Sequence, residues 1–138
     1  MNSKKFFIAF IAVFVWIFAF GFVVHAKLLH STYAEMPALF RAETDVQFPI
    51  ILLGQVVLAF FFTLIFVRGF GSGGGVGGGF RYGLLVGLFL CGLNFIHYAV
   101  QPLTTTLLGA WCIGGVVEMA VAGMIVGALY KPGVAGAN

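Results

Sequence analysis

At 138 residues the chain has room for one domain. Hydrophobic residues make up 62% of it and charged residues 8%, against about 45–50% and about 25% in ordinary soluble domains. Seven basic and four acidic side chains cannot cover a water-soluble surface, and 17 Phe are the reverse of a disordered composition. The chain reads as an integral membrane protein.

A hydrocarbon core about 30 Å thick takes about 20 residues of helix, and four apolar runs of that length occur. Residues 6–26 lie between Lys4, Lys5 and Lys27. Lysines, an apolar stretch and Val24-His25-Ala26 imitate a secretory signal, but the stretch exceeds a typical h-region and reads as a first membrane helix. Residues 49–67 run from Pro49, suited to a first helical turn, to Arg68. The third run is 82–101, between Arg81 and Pro102, and the fourth is 107–130, with Thr104, Thr105 and Thr106 before it as candidate caps. None shows the period-2 alternation of a barrel strand.

These spans predict an all-α integral membrane four-helix bundle, a single transmembrane domain over 1–138. With both termini in the cytoplasm, Lys4, Lys5, Arg68, Arg81 and Lys131 fall inside and Lys27 and Arg41 outside, which favours an N-in/C-in orientation. The five scattered cations form no basic patch, so no nucleic-acid partner is expected.

The outer loop, about 27–48, contains Thr32-Tyr-Ala-Glu35, a capping-box pattern. It predicts a short interfacial helix, with Tyr33, Met36, Leu39 and Phe40 towards lipid and Glu35, Arg41 and Glu43 towards water. The inner loop, 69–79, is Gly-rich and reads as a flexible linker. Its embedded G-x-G-x-x-G lacks the strand and soluble helix of a dinucleotide site.

Small residues recur four apart at Gly83 and Gly87, at Ala110 and Gly114, and at Gly123 and Gly127. Such spacing lets membrane helices approach closely, and Gly115, Met119, Gly123 and Gly127 form one stripe. The Phe-rich first two helices suit contact with lipid or a partner.

Glu118 falls near the centre of the fourth span, where a carboxyl must be protonated, paired or hydrated. Asn94, His97 and Gln101 share one face of the third helix by their i, i+3, i+7 spacing. With Gln55 of the second helix they predict an intramembrane polar cluster entering from the outside. Helix rise places Asn94 about 6 Å nearer the outer surface than Glu118. The inner half of the fourth helix continues no such track.

His25 and His97 both fall near the outer end, where two imidazoles at matched depth would be needed for a b-type haem, and His30 lies beyond the helix. No other residue supports haem, and Cys91 and Cys112 have no clustered ligands for zinc. No cofactor or metal is expected. Ser3, Ser31 and Ser72 lie in flanks and loops with no base beside them, so the chain does not read as an enzyme.

The stretch Phe80 to Gly87, the turn Gln101-Pro-Leu103 and the ending from Gly114 through Glu118 and Gly127 to Pro132 resemble small four-helix bacterial inner-membrane proteins of unknown function. The similarity covers the layout of residues 6–132. It implies a bacterial cytoplasmic membrane and carries no assigned chemistry. Little soluble mass, no catalytic set and the small-residue stripes together point to a non-catalytic accessory or structural subunit in a larger membrane complex. Its partners would be membrane lipids and other transmembrane subunits, or further copies of itself. The alternative is a small homo-oligomeric carrier or channel, or a protein binding lipid, quinone or pigment, centred on Glu118.

Overall fold

The computed structural model describes residues 1–70 and 74–131. Every regular element among them is helical: α1 Ser3–Gly21 continued by a π-helix Phe22–Leu28, α2 His30–Ala34, a 3-10 turn Glu43–Asp45, α3 Phe48–Gly69, α4 Gly75–Val100 and α5 Thr105–Leu129. Four helices, Ser3–Leu28, Phe48–Gly69, Gly75–Val100 and Thr105–Leu129, are long and apolar enough to cross a membrane.

Local chemistry sets the ends of the spans. Asn2 Oδ1 accepts from the Lys5 amide at 3.0 Å, and Thr104 Oγ1 accepts from the Leu107 amide at 3.2 Å. Each bond satisfies one of the donors a helix start leaves free, worth about 1 kcal/mol. Pro49 occupies the first turn of α3, where no amide hydrogen is needed.

The Gly-rich segment departs from the linker reading. Residues 71–73 lie outside the described residues, but Gly75 to Gly79 belong to α4, which starts seven residues before the expected 82. Isolated glycines cost a helix about 1 kcal/mol each relative to Ala. Here tertiary contact overrides propensity, because this part of α4 lies directly against α5. A Cβ on Gly79 would collide with the Gly123 carbonyl, one on Gly83 with that of Met119, and one on Gly127 with that of Gly75. Gly75 itself opens the helix at φ +47°, a conformation glycine adopts without steric cost.

The capping box expected at Thr32 and Glu35 does not form. Helix α2 starts at His30, its preceding residue Leu29 makes no side-chain cap bond, and Thr32 lies inside the helix. Pro37, lacking an amide hydrogen, follows its end. Tyr33, Met36, Leu39 and Phe40 pack on Leu29, Leu103 and Leu107 at the end of the bundle. Hydrophobic contact with the α4–α5 turn, rather than the polar cap, sets the path of this loop.

Helices α4 and α5 form a close antiparallel hairpin; α1 packs on both α5 and α3. The core runs along the α1 stripe Phe6, Ala9, Val13 and Ile17, meeting Ala59, Phe62 and Phe66 of α3 and Met119, Ala122 and Val126 of α5. Tyr82 of α4 closes the circuit by donating its hydroxyl to the Phe62 carbonyl at 2.7 Å. At the same end, the Asn2 amide donates to Tyr130 Oη at 3.1 Å, and Lys5 Nζ to the Lys131 carbonyl at 3.0 Å.

Candidate functional site

The polar residues of the spans separate into three groups. The first lies where α1, α3 and α5 meet. Trp16 Nε1 donates to the Glu118 backbone carbonyl at 2.9 Å and so ties α1 to α5 beside the intramembrane carboxyl. Five residues on, Gly21 leaves room for two side chains at once. A Cβ there would lie 3.4 Å from Gln55 Nε2 and 3.9 Å from Glu118 Oε1. Gln55 and Glu118 therefore flank the same bare patch of α1. Gln55 Oε1 is buried with no hydrogen-bond partner among the described residues, an arrangement that costs about 1–3 kcal/mol. The Glu118 carboxyl likewise makes no hydrogen bond or ion pair among them.

The second group lines a half-open groove of about 290 Å³ on α5, flanked by α1 and α4. From α5 it takes Ala110, Trp111, Gly114, Gly115 and Glu118; from α4 Leu90, Leu93, Asn94 and His97; from α1 and its π-helix Phe20, Val24 and His25. On α5 it runs from Ala110 to Glu118, eight steps and about 12 Å of rise. Glu118 lies at one end of it, halfway along the bundle, while His25, His97 and Trp111 stand near the end where α4 turns into α5. Small residues create it: a Cβ on Gly115 would meet nothing within 4 Å, and one on Gly114 only Val24 Cγ1 at 4.0 Å.

The third group lies at the end of the groove nearest the outer loop. Tyr33 Oη lies 2.6 Å from His25 Nδ1 and accepts from Trp111 Nε1 at 2.9 Å. The indole can only donate. The phenol is left with its own proton for His25 Nδ1, which sets the neutral imidazole as the Nε2–H tautomer. The Tyr33 and His25 rings lie end to end and nearly coplanar across this bond, centroids 6.0 Å apart, and Tyr33 meets Phe40 at 4.7 Å. The outer-loop cluster thus rests on two residues of the groove lining. His25 is carried by the π-helix, a widened turn frequent at functional sites.

The expected polar track is therefore divided. Glu118, Asn94 and His97 line one groove, Gln55 faces Gly21 from the α3 side, and Gln101, exposed at the end of α4, is outside that lining. The spacing along the track also differs from the expected 6 Å. Gly83 faces Met119 and Gly87 faces Val116, a Cβ on Gly87 falling 2.7 Å from Val116 Cα. In that register Asn94 stands about 14 Å from Glu118 along the bundle, beyond side-chain reach. The expectation took the spans as level at their ends, whereas the seam glycines fix the offset.

Of the small residues, Gly83, Gly87, Gly123 and Gly127 lie in the α4/α5 seam, while Ala110, Gly114 and Gly115 border the groove. Cys112 Sγ lies 3.9 Å from the Cys91 carbonyl across the same seam, so the two cysteines are neighbours. Among the described residues no three His, Cys, Asp or Glu side chains converge to hold a metal ion. Sequence reasoning weighed His25 only as a haem ligand and did not find Trp16, Gly21 or the Tyr33 bridge. A glycine opposite two polar side chains is visible only once helix register is known.

No family model, curated protein or solved structure matches the chain.

Proposed function

We propose that this protein is a small, non-enzymatic, multi-pass protein of the bacterial cytoplasmic membrane that binds a small molecule in the α1/α4/α5 groove, with Glu118 as its polar anchor. The observation that carries this reading is a carboxyl lining a half-open groove, halfway through the bundle, without a partner side chain among the described residues. A carboxyl at that depth must be protonated, paired or hydrated, and Glu118 has no side chain to pair with among the described residues. Small-molecule sites are mostly apolar clefts with a few convergent polar groups, and this one has that character.

The accessory-subunit reading drew on the glycine stripes, and four of their members are used within the chain in the α4/α5 seam. What remains for a partner is the apolar outer surface, which suits lipid equally well.

Extraction from native membranes in a mild detergent, followed by native separation and mass spectrometry of small molecules released on denaturation, tests the proposal. The wild type should migrate as a small species carrying a molecule that is absent from Gly115→Leu, a variant that fills the groove where there is open space. Comigration with larger membrane subunits, and no molecule that distinguishes the two proteins, would reverse the choice in favour of an accessory subunit.

A further inference from the structure

The charge and shape of the groove lining restrict what it can hold. Among the described residues Glu118 is its only acid, and no lysine or arginine lines it. Lys27, the nearest cation in sequence to His25, stands over the Phe22 ring at 5.5 Å from its centroid rather than in the groove. The remaining polar lining is the Asn94 amide and the two imidazoles near the α4–α5 turn, one of them held by Tyr33. The walls offer the aromatic rings of Phe20 and Trp111 together with Leu90, Leu93 and Val24. An anionic ligand would be opposed by the carboxyl. A neutral apolar one would leave it without a partner. A cation with an apolar body meets both requirements, since the carboxylate neutralises the head and the apolar walls take the body.

We propose that the groove is a site for a small lipophilic organic cation, an ammonium head on an apolar or aromatic body, with the head at Glu118 and the body between α1 and α4. This rests on the ligand-binding reading above and adds the chemical class. The size is consistent: about 290 Å³ lies at the lower edge of the range for small-molecule sites, enough for one ring and a quaternary head. Glycines at 114 and 115 leave the path between Trp111 and Glu118 free of side chains on α5.

The test is isothermal titration of the full-length protein in detergent with benzyltrimethylammonium, corrected against empty micelles. The same titration is made with neopentylbenzene, which replaces the charged nitrogen by carbon at nearly constant shape. Saturable binding of the cation is expected, at least about tenfold tighter than the isostere, weakened by a similar factor in Glu118→Gln and lost in Gly115→Leu. The comparison of the two ligands on wild type stands even if Glu118→Gln fails to fold. Equal binding of cation and isostere, both lost in Gly115→Leu, would overturn the charge assignment and leave the groove as a neutral-ligand site. Absence of saturable cation binding to the wild type would overturn the proposal outright, and the groove reading would then be decided by the molecule that copurifies.

Discussion

Tyr33 sits where the outer loop, the π-helix and α5 come together, and its hydroxyl serves two partners at once. Replacing it by Phe keeps the ring and its contact with Phe40 but leaves the Trp111 indole without an acceptor. The cost should be about 1–2 kcal/mol, one lost bond plus the penalty of a half-buried donor. Burial pushes the Tyr33 phenol above its ordinary range, more than the Trp111 bond pulls it back. The sign for stability follows from the proton balance. Below pH about 10 both folded and unfolded phenols keep the proton and the contribution is complete; above it the unfolded chain releases its proton first, so stability falls as pH rises towards the folded value. Absorbance titration of phenolate in wild type and Tyr33→Phe should therefore show one tyrosine in the difference that ionises later than a free phenol. A difference signal at the ordinary value would mean that the loop does not pack beside His25 and Trp111 in solution.

At the scale of elements, the α4/α5 hairpin shows what the sequence could and could not disclose. The four spans were legible because continuous apolar runs of helical length have few other uses, and Pro49 and Thr104 marked starts correctly because their chemistry is local. The four glycines among the first five residues of α4 were not legible, since their propensity points away from helix and only the facing glycines of α5 reverse it. Glycine spacing announced close packing without saying that α4 and α5 would be each other's partner, or in which register. The groove was hidden for the same reason, although Glu118, Asn94 and His97 could be picked out one by one. A pair of substitutions separates propensity from packing. Gly77 has open space around its Cβ position, so Gly77→Ala should stabilise by up to about 1 kcal/mol. Gly79→Ala should force the helices apart and destabilise by about 2 kcal/mol or more, in the range of overpacked cores. Unfolding in a graded series of denaturing detergent reads both, and similar effects at the two positions would mean that the seam is looser than described.

For the whole molecule, orientation decides which compartment each end of the groove faces. The start of α1 and the end of α5 are bonded together at one end of the bundle, and Lys4, Lys5, Arg68, Arg81 and Lys131 belong to that half of the molecule. Lys27 and Arg41 belong to the other, with His25 and Trp111. Short flanks rich in Lys and Arg are retained in the cytoplasm, which would turn the His25–Trp111 end of the groove outward. Single cysteines placed at Ser3 and at Thr44, in a background with Cys91 and Cys112 replaced by Ala, test this with a membrane-impermeant maleimide. In intact spheroplasts Thr44→Cys should label fully and Ser3→Cys should label only after the membrane is opened, a contrast of at least about tenfold. The reverse pattern would turn that end to the cytoplasm. Equal labelling of both sites in intact spheroplasts would mean a mixed orientation, in which two antiparallel copies present the same end of the groove to both sides of the membrane.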